Sequence, residues 1–167
     1  MDACFPDYAQ GALLGLSNLL GCNYREIIFV QPYDNYATTK QMEQAFSEVF
    51  RSLSASSAKF RVFQSRGPEA FPELMEQLKR KQKERVALVC PEDNFSVVLL
   101  RALREFGITV PGSVGLLGGM GTRILADAGI SRLSVDFEAL GECAVTSRFS
   151  SQRDPSTRFQ LRVGDTT

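Results

Sequence analysis

The sequence predicts an α/β chain, an open and mostly parallel twisted sheet with helices on both faces. Apolar runs of strand length alternate with amphipathic helical stretches from start to end, the pattern of a parallel sheet joined by crossover helices. Residues 85–118, RVALVCPEDNFSVVLLRALREFGITVPGSVGLLG, hold one complete unit. A buried strand leads through an acidic turn into an amphipathic helix stopped by Gly107, and a Val110-Pro111 corner leads into a second buried strand. Finally, 167 residues at 44% hydrophobic and 23% charged suit one globular unit with a sizeable core. Residues 1–167 are therefore read as a single domain.

The elements follow in order. Tyr8 to Leu20 carries a helical stripe of Ala12, Leu13, Leu16, Leu19 and Leu20, and Gly21 ends it. Glu26 to Gln31, EIIFVQ, reads as a buried parallel strand. Asn35 or Thr38 is expected to cap the next helix, whose inward face is Met42, Phe46, Val49, Phe50 and Leu53. Lys59 to Phe63 alternates as a half-buried strand, and Pro68 to Lys81 forms a helix with Phe71, Leu74, Met75 and Leu78 inward. The unit at 85–118 follows, with its helix starting at Asn94 or Phe95. A glycine-containing loop with room for a short helix leads to the strand Ser131–Val135. A helix from Asp136 to about Phe149 and a strand from Arg158 to Val163 close the chain, separated by an irregular linker from Ser150 to Thr157.

Charge and composition remove several function classes. Nineteen basic residues balance nineteen acidic ones, so no overall field draws the chain to nucleic acid or an anionic membrane. With no histidine, there is no Ser-His-Asp or Cys-His pair and no histidine ligand for a metal. Cys4, Cys22, Cys90 and Cys143 show no Cys-x-x-Cys spacing and are read as reduced thiols, which favours the cytoplasm. The apolar run from Gly11 to Cys22 is too short to cross a bilayer and lacks a basic leader, so neither a membrane span nor a signal peptide is expected. No catalytic residue, metal site or cofactor is assigned.

Open parallel sheets bind ligands outside the carboxyl ends of their strands. That nominates five loops: Gln31 to Asn35, Gln64 to Gly67, Pro91 to Asn94, Gly118 to Thr122, and the corner at Val135 and Asp136. Glu92-Asp93 suggests Mg²⁺ chemistry, but the acidic pair after the first strand that a phosphoacceptor site needs is absent. The plainer reading makes Asp93 the cap of the following helix. Gly115 to Thr122, GLLGGMGT, matches neither G-x-G-x-x-G nor the Walker spacing and reads as a turn. Lys79 to Arg85 lies at a helix end, where cations complement exposed carbonyls, and reads as solvated surface. Phe95, Val97, Val98, Leu99 and Leu100 make an apolar run wider than one buried helix face requires, which allows either a deep core helix or a partner contact.

The stretch VCPEDNFSVVLLRALREFGITVPGSVGLLG resembles the effector-binding domain of LacI/GalR-type bacterial transcriptional regulators and their sugar-binding periplasmic relatives. CFPDYAQGALLGLSNLLGCNYREIIFV is similar to the family's passage into its second lobe, with Cys22 or Asn23 in place of a histidine. ISRLSVDFEALGECAV is similar to its return to the first lobe, and FQLRVGDTT to its last strand. The resemblance implies a periplasmic-binding-protein-like second lobe, with the DNA-binding head and most of the first lobe absent. It also implies a small effector, a carbohydrate or an altered, sugar-like molecule, held between two lobes, and DNA contact only through a separate N-terminal domain.

For sugar binders of that family the resemblance implies an arginine on the second helix, an Asn-Asp pair after the third strand and an aspartate after the fourth. This chain has Met42, Glu92 with Asp93, and Met120 there, and Val135 where a glutamine is common. The expected ligand contacts are thus Asp34, Asn35, Met42, Glu92, Asp93, Met120 and Val135. Two readings stay open, a less hydroxylated effector or a vestigial pocket. The resemblance further implies a homodimer through Val97, Leu100, Arg101 and Arg104. The expected function is ligand sensing and dimerisation in a non-enzymatic regulator. The alternatives are a dimerisation module alone or a lobe of a periplasmic sugar-binding protein.

Overall fold

The computed structural model describes residues 5–32, 36–53, 57–65, 67–81, 84–146 and 157–167. Its strands are β1 (Glu26–Gln31), β2 (Lys59–Gln64), β3 (Val86–Cys90), β4 (Val114–Gly118), β5 (Ser131–Val135) and β6 (Phe159–Arg162). Its helices are α1 (Tyr8–Gly21), α2 (Ala37–Ser52), α3 (Phe71–Arg80), α4 (Asp93–Glu105), α5 (Arg123–Asp127) and α6 (Phe137–Thr146), with a 3₁₀ turn over Pro68–Ala70. The strands form one sheet in the order β2-β1-β3-β4-β5-β6. All neighbours are parallel except β5 and β6, which pair antiparallel with Val135 opposite Phe159 and Arg132 opposite Arg162. The expected open, mostly parallel sheet is what the chain forms.

β1, β3 and β4 are buried at every residue because helices cover both faces. One face packs Ile28, Val30, Leu88 and Leu116 against Leu74, Met75 and Leu78 of α3 and Leu99 and Leu103 of α4. The other packs Ile27, Phe29, Ala87, Val89 and Leu117 against Ala12, Leu16 and Leu19 of α1 and Met42 and Phe46 of α2. Alternate strand residues thus serve opposite cores, as a pleated strand requires.

Several local expectations change. Leu13 is 46% exposed rather than inward, and Gly11 and Gly15 hold the contact side of α1. A Cβ on Gly15 would lie 2.9 Å from Leu117 and one on Gly11 2.6 Å from Phe159, so α1 approaches the sheet through its small residues. Tyr36 occupies the N-cap position of α2 but its side chain does not cap the helix, Thr38 lies inside the helix, and Asn35 falls outside the described residues. The helix expected from Pro68 to Lys81 is split, because the 3₁₀ turn precedes α3, whose second residue is Pro72. In α4 the cap is Glu92, not Asp93, which starts the helix.

Candidate functional site

The sheet order places a topological switch between β1 and β3. β1 passes to β2 on one side and the chain then crosses to β3 on the other, which opens a crevice at the carboxyl ends of the two strands. The loop after β3 enters that crevice. Glu92 Oε1 accepts from the Asn94 amide at 3.1 Å and Oε2 accepts from the Phe95 amide, so both oxygens satisfy the first turn of α4. Ser96 Oγ donates to the carbonyls of Cys90 (3.2 Å) and Glu92 (2.8 Å), which pins the same turn from beneath. The Cys90 thiol is fully buried there, and burial pushes it up to about 12, so it carries no thiolate near neutrality.

Asp93 is 7% exposed and joins two loops. Its Oδ2 accepts from the Thr122 amide at 2.8 Å, across from β3 to the loop after β4. Its Oδ1 is buried and accepts no hydrogen bond from the described residues. Two glycines make the approach possible. A Cβ on Gly119 would stand 2.1 Å from the Pro91 carbonyl oxygen, and Gly121, at φ 75°, lies where a Cβ would be 2.5 Å from Ser134 Cα. The loops after β3 and β4 therefore meet on the carboxyl edge, packed against the end of β5.

The sequence-selected residues divide around this point. Glu92, Asp93 and Met120 come together there, with Met120 partly buried against the α1–α2 core. Met42 and Val135 instead point into that core, at 2% and 6% exposure, because α2 turns Met42 inward beside Phe46 and β5 alternates Val135 onto the helix side. Asp34 and Asn35 lie outside the described residues. Gly119, Gly121 and Thr122 lie in the loop Gly118 to Thr122 that the sequence nominates, though Met120 alone of that loop is among the expected contacts, and Ser96 lies outside every nominated loop.

On the outer side of α4, Val98 is 45% exposed and Val97 is partly buried, while Arg101 pairs with Glu105 at 2.8 Å and Arg104 is exposed. Leu100 is 2% exposed and packs into the core, so its side chain is not on that outer face; Val98 takes the outward position. Ile124 of the neighbouring α5 adds a further exposed apolar side chain. Among the described residues no group of three His, Cys, Asp or Glu side chains gathers to hold a metal, and no helix is long and apolar enough to cross a membrane.

Residues 16–162 match the family of the periplasmic binding protein-like domain, and the chain belongs to that family. Its fold is shared with solved LacI-family regulators. The probable maltose operon transcriptional repressor of Staphylococcus aureus superimposes with a TM-score of 0.79 at 13% identity, over 96% of this chain and 60% of that one. A LacI-family transcriptional regulatory protein from Corynebacterium glutamicum gives 0.77 at 17% identity, over 99% and 68%. A periplasmic binding protein/LacI transcriptional regulator from Alkaliphilus metalliredigens, solved with D-xylulofuranose, gives 0.71 at 15% identity, over 97% and 64%. This chain thus spans 60% to 68% of the length of these structures. Among curated proteins, none matches it by sequence. The resemblance read from the sequence holds at the level of family and fold.

Proposed function

We propose that this chain is the ligand-sensing and dimerisation lobe of a LacI/GalR-type bacterial transcriptional regulator. A small effector at the carboxyl edge of the sheet shifts the balance between two lobe arrangements, and so modulates DNA binding by a separate N-terminal domain. The lobe works in the cytoplasm and performs no chemistry. The observation that carries this reading is the meeting of the loops after β3 and β4 at Asp93, against the end of β5 and beside the switch point of the sheet. The Alkaliphilus relative holds a sugar, which favours a carbohydrate-like effector class. The apolar Met120 at this edge favours one with fewer hydroxyls.

α6 supports a two-lobed parent. It is rich in apolar residues, yet Phe137 and Val145 are 52% and 62% exposed and none of its described side chains is buried. A first lobe would cover this helix and close the crevice. The outer face of α4, with Val97, Val98, Arg101 and Arg104, is the surface through which two copies pair.

A second reading, a pairing module with a vestigial pocket, is favoured by one specific observation: both Glu92 oxygens are engaged in capping α4. Thermal-shift screening of the parent regulator against sugars, sugar phosphates, nucleobases and aromatic acids separates the two. A concentration-dependent rise in Tm that is lost in Asp93→Asn supports sensing. No rise with any class leaves the pairing module. A helix-turn-helix segment upstream in the parent would exclude the periplasmic transport alternative.

A further inference from the structure

The ladder between β4 and β5 is short. Only Leu117 with Ser131 and Gly118 with Arg132 pair directly, whereas β4 pairs with β3 along its whole length from Val114 to Gly118. The amino-terminal half of β4 therefore turns an unpaired edge toward β5, and segment 164–167, which follows β6, fills it. The Leu116 amide donates to the Thr166 carbonyl at 2.8 Å. Thr166 Oγ1 donates to the Leu116 carbonyl at 2.6 Å and accepts from the Ser131 amide at 2.9 Å, so one buried hydroxyl bridges both strands. Ser131 Oγ accepts from the Gly164 amide at 2.9 Å and from Thr167 Oγ1 at 2.7 Å, and the Asp165 amide donates to the Gly129 carbonyl at 2.7 Å. The fit leaves no slack: a Cβ on Gly164 would lie 2.5 Å from the Gly129 carbonyl oxygen.

We infer that segment 164–167 is a latch that fastens the β5–β6 pair to β4, and that its release frees β5 and β6 together while β1 to β4 stay paired. The far end of the pair is held differently. The Phe159 amide donates to Gln10 Oε1 at 2.8 Å, Gln10 Nε2 donates back to the Phe159 carbonyl at 3.1 Å, and the Phe159 ring rests on α1. Opening the latch therefore pivots β5 about its carboxyl end, where Ser134 sits under Gly121. The latch lies at the end of β5 opposite the converging loops, and its seating sets the strand on which one of those loops rests.

Native-state hydrogen exchange tests this. In the unmodified chain the ladder amides of β5 and β6 are expected to exchange faster than those of β1 and β3, in one shared opening. Thr166→Val, which keeps the shape and removes both hydroxyl bonds, is expected to speed the β5 and β6 amides by about tenfold or more, together with Leu116 and Ser131. Thr166→Ser, which retains the hydroxyl, should stay near the unmodified rates. Two results would overturn the latch: β5 and β6 amides as slow as those of β1 and β3 in the unmodified chain, or acceleration in Thr166→Val confined to Leu116, Ser131 and the segment itself.

Discussion

Asp93 Oδ2 and the Thr122 amide, 29 residues apart in sequence, meet at 2.8 Å and join the loops after β3 and β4. The bond is charge-assisted and part-buried, and Asp93 also stands in the first turn of α4, where a carboxylate complements the exposed amides. Removing it leaves the Thr122 amide without its acceptor. We expect Asp93→Ala to destabilise the lobe by about 2 kcal/mol and Asp93→Asn, which keeps an oxygen acceptor, by about 1 kcal/mol. Urea unfolding gives both values, and an unchanged midpoint in Asp93→Ala would show that the tie contributes nothing.

Gly119 permits the same approach from the backbone side. A Cβ there meets the Pro91 carbonyl oxygen at 2.1 Å, with main chain on both sides and no flexible tip to yield. Gly119→Ala should therefore cost about 3 kcal/mol, at the upper end of overpacking effects. Gly141, in the exposed α6, has nothing within 4 Å of its added Cβ, and Gly141→Ala should be neutral or stabilising by up to about 1 kcal/mol. Paired thermal melts decide the matter, since equal effects at the two glycines would contradict the packing argument.

The contrast between those glycines also marks what the sequence could tell. The apolar run of β1 and the 3.6-residue stripe of Phe71, Leu74, Met75 and Leu78 are local signals, and the structure buries all four stripe residues. Leu13 belonged to an equally good stripe, yet lies outward because Gly11 and Gly15 let α1 settle closer on its other side. Glu92 and Asp93 are adjacent carboxylates, and a one-residue phase in the start of α4 decides which one caps it. Met42 and Val135 were placed by likeness to a pattern, and only the helix rotation and strand alternation show that they face the core. The direction of β6 could not be read, since alternation is the same in parallel and antiparallel strands. The site itself depends on two loops meeting against a third strand, and no local period encodes such a meeting.

At the opposite edge of the sheet, Glu26 is buried and paired with Arg61 Nε at 2.8 Å and with Lys81 Nζ. Burial alone would raise its pKa, but the hydrogen bonds and charges of Arg61 and Lys81 outweigh it and the net direction is down. A lowered folded pKa means stability that is present above the ordinary carboxylate value of 4.5 and is lost as pH falls through the folded value. Glu26→Gln should lose about 2 kcal/mol at neutral pH, less than a fully buried pair because both cations are about one-third exposed. It should also flatten the acid limb. Melting points from pH 7 to 3 test both expectations, and parallel curves for the two proteins would remove Glu26 as a source of acid sensitivity.

The proposed pairing through the outer face of α4 can be separated from folding within a single turn of helix. Val98 is 45% exposed and Leu100 is 2% exposed, so an aspartate at the first meets solvent or a partner and at the second meets the core. If two copies pair through Val97, Val98, Arg101 and Arg104, Val98→Asp places an unpaired charge in the contact and should weaken association by at least about tenfold. Its own unfolding midpoint should stay within about 0.5 kcal/mol of the unmodified lobe. Leu100→Asp should instead unfold the lobe, because it buries a carboxylate without a partner. Sedimentation equilibrium of the parent regulator, read beside thermal melts of each variant, keeps the two effects apart. A Val98→Asp protein that dimerises as strongly as the original would move the pairing surface away from α4.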